Sequence, residues 1–248
     1  MSIGRVALGL LSMGARSPSG DDAAYLEWHA LDHMPEQFRI DGLLHGQRWV
    51  STAALRAARA AEDGHFTAVD HVVQYLVSEP VAPAVDAWFD LGAELAKAGR
   101  YPARLPSVML AGFVPDAGAA SAHATVTAAA VPFRPTTGAY LVLDERPDAP
   151  TDGSDAYDAW LAEEHLPSLC ALPGVAGAWH FAPAAIRPDR LDPRGLALTV
   201  AYLDGDPLDV ATSMLETLPG AWRRWGIRAA LAAPFATVRP WQWETELG

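Results

Sequence analysis

Tyr25, Trp28, His33 and Pro35 recur as Tyr157, Trp160, His165 and Pro167, each 132 residues further along the chain. This repeat constrains the fold more than any other feature, because a copied segment of that length is a domain-sized unit. The acidic residue before each histidine recurs as well, as Asp32 and Glu164. "GLLHG" from Gly42 matches "GVAG" from Gly174 with one residue lost, and "AALRAAR" from Ala53 matches "AAIRPDR" from Ala184 at an offset of 131. "YLVSEP" from Tyr75 matches "YLDGDP" from Tyr202 at an offset of 127. The matches keep their order, so we read a tandem duplication. The first unit covers residues 1–115, an Ala- and Pro-rich linker covers 116–136, and the second unit covers 137–248.

Both units read alike. "RVALGLLSM" and "AYLVLDE" open as strands, and a helix follows from about Asp21 and Ser154, each available as a cap. Second strands are expected around Gln47–Ser51 and Ala178–Pro183. Third strands are expected in "HVVQYLVSE" and "LALTVAYLD", which are rich in β-branched and aromatic residues. A second helix and a fourth strand close each unit. The order βαββαβ is the ferredoxin-like pattern, and the fold class is α+β. A sheet with helices on one face leaves its other face bare, so two such antiparallel sheets are expected to pack face to face within the one chain.

Half of the residues are hydrophobic, enough for a sizeable core, yet no run approaches the roughly 18 apolar residues of a membrane span. The apolar N-terminus lacks a dense basic start and a cleavage box, and is read as a first strand. The net charge of −12 argues against nucleic acid and anionic membrane as partners. Cys170 is the only cysteine, so no intrachain disulfide exists, and a cytoplasmic setting is expected. Leu169 and Leu172 flank Cys170, which reads as buried and not nucleophilic. No Walker sequence or Gly-x-Gly-x-x-Gly follows a strand, while nine tryptophans suit an apolar ligand cavity.

The pattern Tyr-x-x-Trp-x-x-x-x-His-x-Pro, followed by Gly-x-x-Gly and an aromatic strand, resembles the EthD-like branch of the dimeric α/β-barrel superfamily. The resemblance covers both halves. It implies an intramolecular version of that barrel, with a cleft in each half for a small, mostly apolar molecule and a helix-end histidine facing it. The superfamily includes cofactor-free oxygenases, lactone isomerases, polyketide cyclases and haem enzymes, so the resemblance leaves the reaction open.

In the first helix, Tyr25, Trp28, His29 and Asp32 share one face with His33 at its edge; Tyr157, Trp160, Leu161, Glu164 and His165 do the same in the second half. Pro35 and Pro167 remove a helical donor and are expected to push Met34 and Leu166 out of helical geometry, placing each histidine in a terminal or kinked turn. A helix end would raise the imidazole pKa and burial would lower it. His33 and His165 are the candidate catalytic residues. The alternative is that each locks the turn by bonding a freed carbonyl.

His29 and His33 also have metal-ligand spacing, with His45, His65 and His71 as candidate third ligands, but no tight ligand box exists and no metal site is assigned. Candidate substrate-binding residues are Tyr25, Trp28, His29, Trp49 and Tyr75 in the first half. In the second half they are Tyr157, Trp160, Trp179, His180 and Tyr202, with His180 taken as the counterpart of Trp49. The pairs Arg56/Arg59 and Arg187/Arg190 either clamp an anion or pair with nearby acids. The leading expectation is a cofactor-independent enzyme that oxygenates, isomerises or cyclises a small hydrophobic, aromatic or lactone-like molecule by histidine acid–base chemistry. The rivals are a non-catalytic binding protein, a haem- or metal-dependent oxygenase, and one active half beside a degenerate one. Association into a homodimer is left open.

Overall fold

The computed structural model describes residues 3–101, 105–145, 154–192 and 195–243. The first half runs β1 (Leu8–Gly14), α1 (Asp22–Trp28), a π-helical turn (His29–His33), α2 (Met34–Gln37), β2 (Leu43–Val50), α3 (Ala53–Ala57), β3 (Ala61–Glu62), β4 (His71–Val77), α4 (Val81–Lys97) and β5 (Ser107–Ala120). A 3-10 turn (Ala128–Phe133) leads into the second half. There follow β6 (Gly138–Glu145), α5 (Ser154–Trp160), a second π-helical turn (Leu161–His165), α6 (Leu166–Cys170), β7 (Val175–Pro183), β8 (Ala197–Leu203), α7 (Pro207–Trp225) and β9 (Arg228–Thr237).

The antiparallel strand orders β2-β4-β1-β5 and β7-β8-β6-β9 are both ferredoxin-like. The expected α+β architecture is present, and the two sheets also join at their edges. Pro115 of β5 faces Phe181 of β7, and Thr237 of β9 faces Trp49 of β2. The result is a closed antiparallel barrel, with β3 added outside on β9. Closure satisfies backbone groups that open edges would leave unpaired.

Strand alternation sorts the core into layers. Trp49, Leu76, Leu141, Trp179, Val200 and Phe235 fill the barrel interior. Leu8, Leu10, Val73 and Val77 face outward and meet Val85 of α4. In the second half Tyr140 and Val142 meet Met214 and Leu218 of α7. Both faces are covered, so β4 and β8 are buried at every position. The stretch 116–136 carries the end of β5 and the 3-10 turn. Val131 joins the barrel interior there, and Trp179 Nε1 donates to Ala128 O at 2.8 Å. Among the described residues, no helix is long and apolar enough to cross a membrane.

The first helix of each half departs from expectation. In a regular helix the Pro35 ring would strike the carbonyl of Leu31. Instead Met34 N–H bonds His29 O and Leu166 N–H bonds Leu161 O, one residue further back than an α-helical bond, which widens the turn ahead of each proline. Met34 and Leu166 therefore remain right-handed helical, at φ −65°, ψ −41° and φ −61°, ψ −42°. Asp21 precedes α1 without a side-chain cap bond, and the Ser154 side chain lies outside what is described.

Register also corrects one sequence match. Ser78 N–H bonds Gly42 O, and Asp204 N–H bonds Gly174 O, so these positions are equivalent. Tyr202 then occupies the place of Leu76, not of Tyr75, and a slip of one residue turns a side chain to the opposite face. Tyr75 points to the helices, while Tyr202 points into the barrel and donates to Gln74 Oε1 at 2.9 Å. By the same registers His180 corresponds to Arg48 and not to Trp49.

Candidate active site

The π turn delivers His33 flat onto Trp28, with ring centroids 4.7 Å apart and planes at 14°. His165 lies on Trp160 in the same way, at 4.6 Å and 22°. The acid before each histidine ties this turn to the C-terminal end of α4 in the first half and of α7 in the second. Asp32 meets Arg100 at 2.7 Å and Glu164 meets Arg224 at 3.1 Å. These ion pairs are exposed and contribute little stability, but they fix where the turn sits.

In the first hollow, between α1, α4 and the outer face of the sheet, Tyr25, Trp28, His29, His33 and Tyr75 come together. His29 Nε2 lies 3.0 Å from the Tyr75 hydroxyl. Gln37 donates from its amide to His33 Nε2 at 2.9 Å, which leaves the ring proton on Nδ1, a buried atom without a partner. Tyr101 leans on the same ring, with its hydroxyl 3.4 Å from Nε2. Four further residues that the sequence reading did not assign to substrate chemistry complete the hollow: Gln37, Arg48, His71 and Asp22. His71 donates from Nε2 to Asp22 Oδ1 at 2.8 Å, and the same oxygen accepts Ser17 N–H at 2.9 Å. His71 Nδ1 therefore carries a free lone pair, also buried. The Arg48 guanidinium lies over the Tyr25 ring, 5.1 Å from its centroid.

Burial dominates the electrostatics. It lowers the pKa of His33 to about 4, with the Arg48 cation adding to the effect. His29 is pushed well below the usual histidine range by burial and then by Arg48. Burial also lowers His71, although its bond to Asp22 works the other way. The Tyr75 phenol is raised by burial. Near neutral pH the hollow thus presents three uncharged imidazoles and a phenol around one guanidinium. His33 offers an N–H and His71 a lone pair.

The second hollow brings together Tyr157, Trp160, His165 and His180. Trp225 covers Trp160 at 5.2 Å, as Tyr101 covers Trp28 at 4.7 Å. Burial, with His180 nearby, lowers the pKa of His165 to about 4. His180 Nδ1 lies 2.7 Å from Asp116 Oδ1, which comes from the bulge where β5 pairs with β7; its Nε2 is buried without a partner. Among the described residues this hollow holds fewer polar groups, and Leu161 stands where the first has His29.

Trp49, Trp179 and Tyr202 line neither hollow, because alternation turns all three into the barrel. The arginine pairs are structural. Arg56 holds Asp70 through contacts of 2.7 and 2.6 Å, Arg59 ties Glu62 and the carbonyls of Thr67 and Val69, Arg187 holds Asp86 of α4, and Arg190 lies over Phe89. Cys170 is buried and its thiol is pushed up to about 11. Arg48, Asp22 and Asp116 carry no local motif, and His71 entered the sequence analysis only as a candidate metal ligand; the register that aligns Arg48 with His180 is the one signal that could have pointed to Arg48.

No protein-family model matches the sequence, and a comparison with curated proteins found no match. Among solved structures, the chain is similar to an anthrone oxidase-like protein, with a TM-score of 0.51 at 10% identity, over 96% of this chain and 94% of that one. A Fusobacterium nucleatum protein with a proposed monooxygenase role gives 0.53 at 7%, over 95% and 94%. A DypB variant from Rhodococcus jostii RHA1 in complex with heme gives 0.53 at 13%, over 99% and 97%. These likenesses place the chain in the dimeric α/β-barrel fold, here completed within a single polypeptide.

A haem-binding neighbour raises the question of fit. The two larger described cavities, about 270 Å³ along β5 and about 390 Å³ beside the 3-10 turn, are lined by no histidine, tyrosine or cysteine. His33 and His165 each lie flat on a tryptophan, away from both linings. Among the described residues, no three His, Cys, Asp or Glu side chains converge as metal ligands. Among the described residues, neither of these two cavities offers an axial ligand to a haem.

Proposed function

We propose that the protein is an enzyme acting on a small aromatic or enolisable molecule by histidine acid–base chemistry, with the first hollow as its working site and His33 as one of its proton-handling groups. The observation that carries this reading is the convergence of neutral, buried His29, His33 and His71 around the buried Arg48 cation. Proton removal from a phenol or enol creates an oxyanion, and a preorganised guanidinium in a water-poor site stabilises that charge far better than water does. Oxygenation is the favoured reaction class, because an electron-rich enolate or phenolate is the form that reacts with dioxygen. The anthrone oxidase-like and monooxygenase-type neighbours support that choice.

The second hollow is a further candidate, with Asp116 orienting His180 beside His165. Anthrone, shaken in air with the full chain and followed by absorbance, tests both. Turnover is expected to fall about 10²-fold in His33→Ala with the fold intact. Unchanged turnover in the His33→Ala/His165→Ala double variant would reject the assignment. Saturable binding without product from any phenol or enol would favour the binding-protein reading.

A further inference from the structure

Arg48 is 7% exposed, and no carboxylate opposes it among the described residues. Its guanidinium lies over the Tyr25 ring, and its buried Nε has no hydrogen-bond partner. The acids that might serve are engaged: Asp22 holds His71 and Ser17 N–H, and Asp70 holds Arg16 at 3.2 Å and Arg56 at 2.6 Å. A buried cation without a counter-ion is costly, so a site that keeps one is suited to a ligand that supplies the charge. A cavity of about 70 Å³ opens on this guanidinium, lined by Ser12, Tyr25, Arg48, His71 and Ser107. A single water needs about 10–15 Å³ of such space, so there is room for a small polar group. His71 lines the same cavity, and its Nδ1 is buried without a hydrogen-bond partner.

We propose that this cavity binds the carboxyl-sized oxygen-acid group of a ligand, and that His71, oriented by Asp22, takes that group's proton. One oxygen accepts from the Arg48 guanidinium. The other gives its proton to His71 Nδ1, leaving the anion between guanidinium and imidazolium. No other bond changes, and the imidazolium keeps its Nε2–H on Asp22. The proposal rests on the first hollow being the working one, but it concerns binding and is read without turnover, so a failed cavity and a failed reaction are told apart. Groups that bear on His71 are Asp22, Asp70 and Arg48, together with the neighbouring His29.

Formate is the probe, titrated by calorimetry against the full chain at constant ionic strength. Saturable binding that weakens about tenfold per pH unit from pH 6 to 8 is expected, because formate must bring one proton with it. Arg48→Gln is expected to weaken it at least tenfold. Should that variant not fold, the His71 ring nitrogen signals of the wild-type protein, shifting with the same formate dependence, decide in its place. Competition by benzoate would assign the cavity to the headgroup of a larger molecule; formate binding without such competition would assign it to a free small acid. No saturable binding, a pH-independent affinity, or unchanged binding in folded Arg48→Gln would overturn the proposal.

Discussion

The Tyr75 hydroxyl and His29 Nε2 lie 3.0 Å apart, both residues buried, each the other's partner across 46 residues of chain. Removing one strands the other. Tyr75→Phe is expected to cost about 1–3 kcal/mol in urea unfolding and to disturb turnover, because a buried imidazole nitrogen loses its bond. Tyr202→Phe is expected to cost a similar amount, through the loss of its bond to Gln74, yet to leave the reaction intact, since it faces the barrel. A loss of turnover in Tyr202→Phe alone would contradict the placement of the site.

Acid should unfold the protein through its helix-turn histidines. His33 and His165 sit at about 4 when folded, against about 6.5 in an unfolded chain. Between these values the unfolded state binds more protons, so stability is full above about pH 6.5 and declines as pH falls towards 4. Urea midpoints at pH 7, 5.5 and 4.5 should show the decline, and His33→Phe should flatten it. An unchanged slope in that variant would mean that His33 does not titrate as described.

The turns after the second helical segment and after the third strand of the second half touch backbone to backbone. A Cβ on Gly205 would lie 2.6 Å from Gly174 Cα, and Gly174 itself has φ +82°. Gly205→Ala is expected to cost about 1–3 kcal/mol by overpacking. Gly220→Ala, in open space on α7, is expected to gain about 0.5–1 kcal/mol from helix propensity. Chemical denaturation of the two variants side by side checks both signs.

Cys170, buried and with its thiol raised to about 11, should resist a disulfide reagent at pH 8 in the native protein and react at once in denaturant. Rapid native reaction would show that α6 opens.

The sequence by itself determined the architecture. Repeated Trp and His-x-Pro spacings, apolar alternation and glycine turns are local signals, and each half folds on the same ones. The stacks of His33 on Trp28 and of His165 on Trp160 were not legible there, because five residues along a regular helix leave two side chains about 140° apart and only the π turn brings them together. Tertiary structure decided the rest. The match of Tyr75 with Tyr202 looked sound in the sequence, yet strand register, set by hydrogen bonds such as Asp204 to Gly174, turned them to opposite faces. Asp22 with His71, and Asp116 with His180, are separated by 49 and 64 residues and meet only because β4 returns beside α1 and β5 pairs with β7. Whether Arg48 is a solvated surface charge or a buried, uncompensated one depends on what closes over it. Spacing along a chain does not encode that, because burial is a property of the packed layers and not of any one segment.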